Sequence, residues 1–480
     1  MFNIPEKLEI TGAGPVNGTV EISGAKNSVM CLMAAALLTK EKVILRNVPF
    51  ISDVLWFGKI MRDIGVEVFH NPYTKEMHIC ADNITTNILP AETSKRIRTS
   101  YYFWGALLAR FSITKEYDQL IVANPGGCKF GTAIRKFDFH INLLKAVLGT
   151  EVNEEGDENE SRLIFSLPKT MKQSSELSYF STARVSHGAT INFLLSSVGN
   201  GNIAMLNAIQ EPEVSDLIHM LNMMGRDQLI ITGEDSTGLV KTQLGKKSLL
   251  KGVKYIVMSD RLEAASYALL ASITGGEILI SNCDHTSMKP FLIRFNECAN
   301  VRYLKNGIFV VAKPLNQVPG QHMLISPYPG DETDLHQVWA PLLMQAKSPS
   351  VIIDPIWINR TGHLMELIKM GGECSSYITK CDDIAYNSYD TMEKAYIDIL
   401  GGASLTPANV IGPDLRGTIG LIFAACAAEG KSQISEAKWA IRGYPNLVEN
   451  LRSCGVKVTE IGHDAKSSAP LLPPLPSITD

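Results

Sequence analysis

What the chain lacks narrows its function first. No apolar run in its 480 residues approaches the roughly 18 needed to span a bilayer, so no membrane helix is expected. Met1 to Glu9 carry no apolar core of the kind a secretory leader needs. Neither sign of charge dominates: 45 Lys and Arg stand against 49 Asp and Glu, a net charge of −4, so no overall field draws nucleic acid or an anionic membrane. Any anion must then be met by a local cluster. The nine cysteines include no CxxC pair, and several, such as Cys31 and Cys426, stand in apolar segments. That argues against a disulfide framework or a structural zinc site and for reduced thiols in the cytoplasm. Nothing in these totals calls for an obligate protein partner.

What the chain has is a repeat. It is too long for one ordinary core, and about two to four domains are expected. Six times the sequence presents an apolar helix rich in small residues, a short strand, an amphipathic helix, and a small residue before a further strand. Those small residues are Gly65, Gly149, Gly225, Ala299, Gly371 and Gly455, at intervals of 84, 76, 74, 72 and 84 residues. Such uneven intervals suit separate α/β units, grouped three and three, better than a solenoid. The apolar helices are read at 28–38, 99–109, 189–198, 264–273, 335–345 and 417–428; apolar all round, they should be buried. In the first unit Asp53 reads as the N-cap of the amphipathic helix and Gly65 as its stop. The acidic 151–160 reads as a solvated hairpin turn, and the proline-rich tail 466–480 as irregular or disordered.

The residues at the start of each apolar helix carry the chemistry. In order they are Lys26 with Asn27, Arg98, Arg184 with Ser186, Arg261, Asp334 and Arg416. A helix N-terminus presents unpaired N–H groups and a partial positive charge, and a cation beside it strengthens the preference for an anion. Recurrence at five of six positions points to helix ends converging on a multiply anionic small molecule, with Asp334 as a possible base. A separate stretch, Asn124 to His140, breaks after a strand into a loop holding Gly126, Gly127 and Gly131. It sets Cys128 among Lys129, Arg135 and Lys136, surroundings that stabilise a thiolate. On the residues alone, a reactive and a structural role for Cys128 both stay open.

The motifs resemble one family. Ser23-Gly24-Ala25-Lys26-Asn27, Ile97-Arg98-Thr99-Ser100, Pro125-Gly126-Gly127-Cys128, Glu211-Pro212-Glu213, Thr333-Asp334, Asn359-Arg360, Asp414-Leu415-Arg416 and Arg442-Gly443-Tyr444 are similar to those of the enolpyruvyl transferases, over about residues 8–461. The shikimate-pathway branch typically has a Ser-Lys-Ser signature at Lys26 and lacks the Cys128 loop, so the resemblance is to the branch that uses a nucleotide sugar. It implies two inverse α/β barrel domains of three repeated units each, 23–262 carrying the Cys128 loop and 1–22 with 263–465, and an active site in the cleft between them.

The activity implied is transfer of the enolpyruvyl group of phosphoenolpyruvate to the 3-hydroxyl of UDP-N-acetylglucosamine with release of phosphate, the first committed step of peptidoglycan precursor synthesis. By the same resemblance Lys26, Arg98, Arg135, Arg416 and Arg442 would cradle phosphoenolpyruvate, since fork-shaped guanidiniums suit a phosphate and a carboxylate. Cys128 would protonate C3, and Asp334 would accept the sugar hydroxyl proton. Asn27 would orient the sugar, Arg184, Ser186 and Gly188 would meet the UDP part, Asp138 would lie near uracil, and Ile356 would add a substrate contact. No metal or organic cofactor is implied. The chain departs from the family pattern in two extra residues between Gly131 and Arg135, in Arg184, in His187 after Ser186, and in Ile358 and Ile441. A paralogue acting on another nucleotide or nucleotide sugar, and a non-catalytic binding relative, are the alternative readings.

Overall fold

Each of the six apolar stretches forms a helix buried along nearly its whole length. In a computed structural model that describes residues 4–125, 137–156, 161–170, 177–182, 185–226, 229–234, 238–244, 247–380, 393–463 and 468–475, they are Lys26–Ala35, Tyr102–Thr114, His187–Ser197, Arg261–Thr274, His336–Gln345 and Leu415–Ala427. Alanine, leucine and small polar side chains on every face let these helices touch one another and the surrounding strands at once.

The chain crosses between two compact units at Ser23/Gly24 and again at Met258/Ser259. One comprises the described residues of 24–258 and those from Pro470; the other comprises the residues up to Ser23 and Ser259–Ala469. Within each unit three of the buried helices pack against one another, and the strands form three sheets around them. In 24–258 the last strand, Lys254–Ile256, returns to lie parallel to the early strand Val43–Arg46, with Tyr255 opposite Leu45. The other unit is completed from the N-terminus. Lys7–Gly12 enters between Gly430–Ser435 and Lys457–Ile461, antiparallel to both, and Asn17–Glu21 runs parallel to Glu277–Ser281. Alternate burial along Lys7–Gly12 puts Leu8 and Ile10 in that core. This is the inverse α/β barrel arrangement that the family resemblance implies, with the three-and-three grouping and buried helices expected from the repeat.

Two local expectations need correction. The first amphipathic helix is Ser52–Asp63, capped by the backbone of Ile51, and Asp53 lies inside its first turn, where it pairs with Lys26 rather than capping. The left-handed residue after the third amphipathic helix is Arg226, at φ +51°, because Gly225 is still helical; Ala299 begins a strand. The tail has no helix or strand of its own among its described residues, yet it packs: Leu472 lies against Gly58, and the Pro473 carbonyl accepts from the His70 N–H at 2.9 Å. The acidic segment does form a hairpin, Glu151–Glu155 against Arg162–Ser166. No helix among the described residues is long and apolar enough to cross a membrane.

Candidate active site

The N-terminal ends of the three buried helices in 259–469 meet in one charged cluster. Asp334, just before His336–Gln345, is its centre. Its Oδ1 accepts from Arg360 Nη1 at 2.6 Å, and its Oδ2 lies 3.6 Å from Arg416 Nε. Arg360 is buried at 4% exposure; it also donates to the Thr333 carbonyl at 3.1 Å and lies 3.6 Å from Asp414. Asp414 caps Leu415–Ala427, accepting from the N–H groups of Arg416 and Gly417 at 3.0 and 3.1 Å. Arg416, 2% exposed, donates to the Tyr444 hydroxyl at 2.6 Å, which in turn is 2.7 Å from Ser266 Oγ. Burial alone would weaken the Arg416 charge, but Tyr444, Asp334 and Asp260 reverse that and hold its pKa above the ordinary guanidinium value. Asp334 remains 34% exposed. A carboxylate gripped by two buried guanidiniums thus stays about one-third exposed.

Around this cluster stand further groups. Arg261, first in its helix, pairs with Glu332 and lies over the Tyr328 ring. Arg442 follows the short helix Lys438–Ile441, 5.6 Å over the Trp439 ring. Ile356 is half-buried against the core of this unit. Glu263, fully buried in the first turn of Arg261–Thr274, accepts at one oxygen from both the N–H and the hydroxyl of Ser23, at 3.0 and 2.6 Å. Burial and the neighbouring Asp260 push its pKa up to about 8.

In 24–258 the second and third buried helices start side by side. Arg98 lies 3.9 Å over the ring of Phe137, and 5.9 Å from that of Tyr101. Phe137 leads directly into Asp138, the exposed first residue of Asp138–Leu148. Ser186 caps His187–Ser197, its hydroxyl accepting from the Ala189 N–H at 3.3 Å. Gly188 is required next: a Cβ there would fall 2.5 Å from His140 and 2.7 Å from the Tyr101 hydroxyl. His187 Nδ1 is 2.5 Å from Glu211 Oε2, so the residue that departs from the family pattern has a partner in the Glu211-Pro212-Glu213 motif. Lys26 Nζ lies 3.6 Å from Asp53, and Asn27 is half-buried beside it. Gly24 lets this turn close, since a Cβ would meet the Asn47 carbonyl at 1.8 Å. Cys128, Arg135 and Arg184 lie outside the described residues.

Residues 10–451 match the model of the family described as EPSP synthase (3-phosphoshikimate 1-carboxyvinyltransferase). The chain belongs to the enolpyruvyl transferase family. It is 32% identical over 453 residues to the UDP-N-acetylglucosamine 1-carboxyvinyltransferase of Streptococcus pneumoniae serotype 2, covering 94% of this chain and 98% of that one. The protein of the same name from Prochlorococcus marinus is 31% identical over 463 residues, covering 95% and 91%. Among solved structures the enolpyruvyl transferase NikO from Streptomyces tendae superposes with a TM-score of 0.79 at 18% identity, covering 94% of this chain and 98% of that one. This last likeness concerns the fold.

Reading helix starts found Asp334 and Arg416, which the fold brings together, but assigned no role to the groups that hold them. Arg360 and Tyr444 stand in quoted motifs of this enolpyruvyl transferase, and that was their only signal. Glu263 was missed because it meets Ser23 across 240 positions, and Glu211, like Arg360 and Tyr444, had only its motif as a signal.

Proposed function

We propose that this family member transfers the enolpyruvyl group of phosphoenolpyruvate to the 3-hydroxyl of UDP-N-acetylglucosamine, releasing phosphate, in the first committed step of peptidoglycan precursor synthesis. The observation that carries the proposal is 32% identity over 94% of the chain to proteins of that name. The Asp334 cluster is the arrangement that such chemistry needs. The acceptor hydroxyl gives its proton to Asp334 as its oxygen bonds to C2 of phosphoenolpyruvate, and C3 takes a proton from Cys128. The tetrahedral adduct then loses one proton of its C3 methyl group and expels phosphate. Lys26, Arg98, Arg135, Arg416 and Arg442 supply the positive charge that phosphate and carboxylate call for. Asn27 orients the sugar and Ile356 adds a substrate contact; Arg184, Ser186, Gly188 and Asp138 receive the nucleotide. Both substrates are cytoplasmic metabolites, and the enzyme works there.

A second reading, in which the acceptor is another nucleotide or nucleotide sugar, is favoured by one observation: His187, paired with Glu211, stands among the residues assigned to the UDP part. Phosphate release from phosphoenolpyruvate, measured against a panel of nucleotides and nucleotide sugars, decides between them. Release with UDP-N-acetylglucosamine supports the first, release only with another acceptor the second, and no release with any acceptor contradicts both. Replacing Cys128 by Ser tests the acid: the expected result is loss of most turnover at neutral pH, and full retention rules Cys128 out.

A further inference from the structure

Beneath the candidate base lies a buried carboxylate that the reaction does not use. Asp354 ends the central strand Ser350–Asp354, where it pairs with Ala395 of Glu393–Ile399, and it is 1% exposed. Its two oxygens meet four hydrogen-bonding groups. Oδ1 accepts from the backbone N–H of Ile356 at 2.7 Å and of Trp357 at 3.0 Å. Oδ2 accepts from Thr333 Oγ1 at 2.9 Å and faces His336 Nε2 at 3.3 Å. That uses the full acceptor capacity of a carboxylate. Burial disfavours its charge, yet the His336 contact and the two N–H groups outweigh this and hold its pKa below the ordinary carboxylate value.

The partners decide what this can do. Thr333 is the residue before Asp334, and its carbonyl and the Asp334 carboxylate share a single Arg360 nitrogen. The Thr333–Asp334 turn is therefore fixed from one side by Arg360 and from the other by Asp354. The second pair of bonds folds the chain back after the strand, and so sets the backbone of Ile356. His336 is the first residue of the helix that follows Asp334, and Gln337 Nε2 lies 2.9 Å from its Nε2. Since the Gln337 amide oxygen has no partner among the described residues, turning the amide presents that oxygen to the imidazole. The imidazole proton then belongs on Nε2, shared between the amide and Asp354.

We propose that Asp354 is a positioning residue, one buried carboxylate at the end of a rigid strand that sets both the turn carrying Asp334 and the turn carrying Ile356. This rests on the reading of Asp334 as the base. A carboxylate that must meet a hydroxyl within hydrogen-bond reach loses rate steeply when displaced, whereas binding of phosphoenolpyruvate, assigned to other residues, is unaffected.

The test compares Asp354→Asn, Thr333→Val, Thr333→Ser and Asp334→Ala with the parent enzyme, by kcat and KM for each substrate. Thr333→Val removes one bond to Asp354 and leaves the others, so it keeps the proposal testable should Asp354→Asn fail to fold. Misplacement on the order of 1 Å can cost up to about 10²-fold. Asp354→Asn is therefore expected to lower kcat by about 10²-fold and Thr333→Val by about tenfold, with KM for phosphoenolpyruvate within about twofold. Thr333→Ser, which keeps the hydroxyl, should restore the parent kcat. A merely structural role predicts instead lowered thermal stability with the folded variants turning over at the parental rate. Folded Thr333→Val with parental kcat, while Asp334→Ala is crippled, overturns the proposal alone. Parental kcat in Asp334→Ala overturns the reading of the base and the proposal with it.

Discussion

The two units build their helix-terminal charges in opposite ways. In 259–469 most of the cations are interior: Arg360 and Arg416 are 4% and 2% exposed and bound to carboxylates and a tyrosine hydroxyl, with Arg442 half-buried and Asp334 at the rim. In 24–258 Lys26, Asn27, Arg98 and His187 are half-buried and Asp138 is exposed. The first arrangement is prebuilt. Its groups are already desolvated and oriented, which is costly to assemble but needs little reorganisation when charge develops nearby. The second keeps its cations closer to water, so turning them to an anion rearranges less desolvated charge, even where Lys26 pairs with the buried Asp53. One unit is suited to hold a reacting group still, and the other to capture a charged ligand.

Breaking the interior cluster should have the largest effect. Arg360→Ala leaves Asp334 and Asp414 without their shared guanidinium, and removing one partner of a buried ion pair typically costs ~3–5 kcal/mol. Chemical denaturation should show a loss of that size; a loss under about 1 kcal/mol, the scale of exposed pairs, would place this cluster on the same footing as the other unit.

Next comes the pH dependence of the same unit. Glu263 binds its proton more tightly when folded, with its pKa raised from 4.5 to about 8, so its contribution to stability is complete below the lower value and is lost as pH rises toward the upper. Glu263→Gln keeps an acceptor for Ser23 and cannot ionise. Relative to the parent, its Tm should therefore climb across that window. Asp216 in the other unit, raised by burial and bonded to Tyr255 and Met258, stays intact in both proteins and drops out of the difference. Parallel Tm curves would show that Glu263 is ionised throughout.

The smallest effect should come from the half-exposed pair in 24–258. His187→Val removes a contact with Glu211 that is about one-fifth exposed on each side, worth at most ~1 kcal/mol to stability. If that end captures the nucleotide, KM for the nucleotide sugar should change more than kcat. A selective fall in kcat would move His187 into the chemistry and erase the contrast between the units.

Much of this architecture could be read from the residues because the six buried helices are apolar on every face, a pattern independent of their neighbours. The helix starts were equally plain, since Lys26, Arg98, Asp334 and Arg416 each stand at the edge of an apolar run. What could not be read was who holds whom. Arg360 reaches Asp334 across 26 positions and Glu263 reaches Ser23 across 240, and no local pattern encodes either. Asp53 misled for the same reason: a carboxylate at a helix start reads as a cap, yet the fold gives it Lys26 as a partner. Asp354 was hidden at the end of an apolar strand, where a single acid carries no periodic signal.

The account's central claim is that these charges serve enolpyruvyl transfer to UDP-N-acetylglucosamine. Mass spectrometry of the nucleotide sugar after incubation with the enzyme and phosphoenolpyruvate tests it most directly. The account predicts a new species in which one enolpyruvyl group replaces the 3-hydroxyl hydrogen, formed in equal amount with phosphate. UDP-N-acetylglucosamine recovered unchanged, while another acceptor in the same mixture gains the group or phosphate is never released, would contradict it.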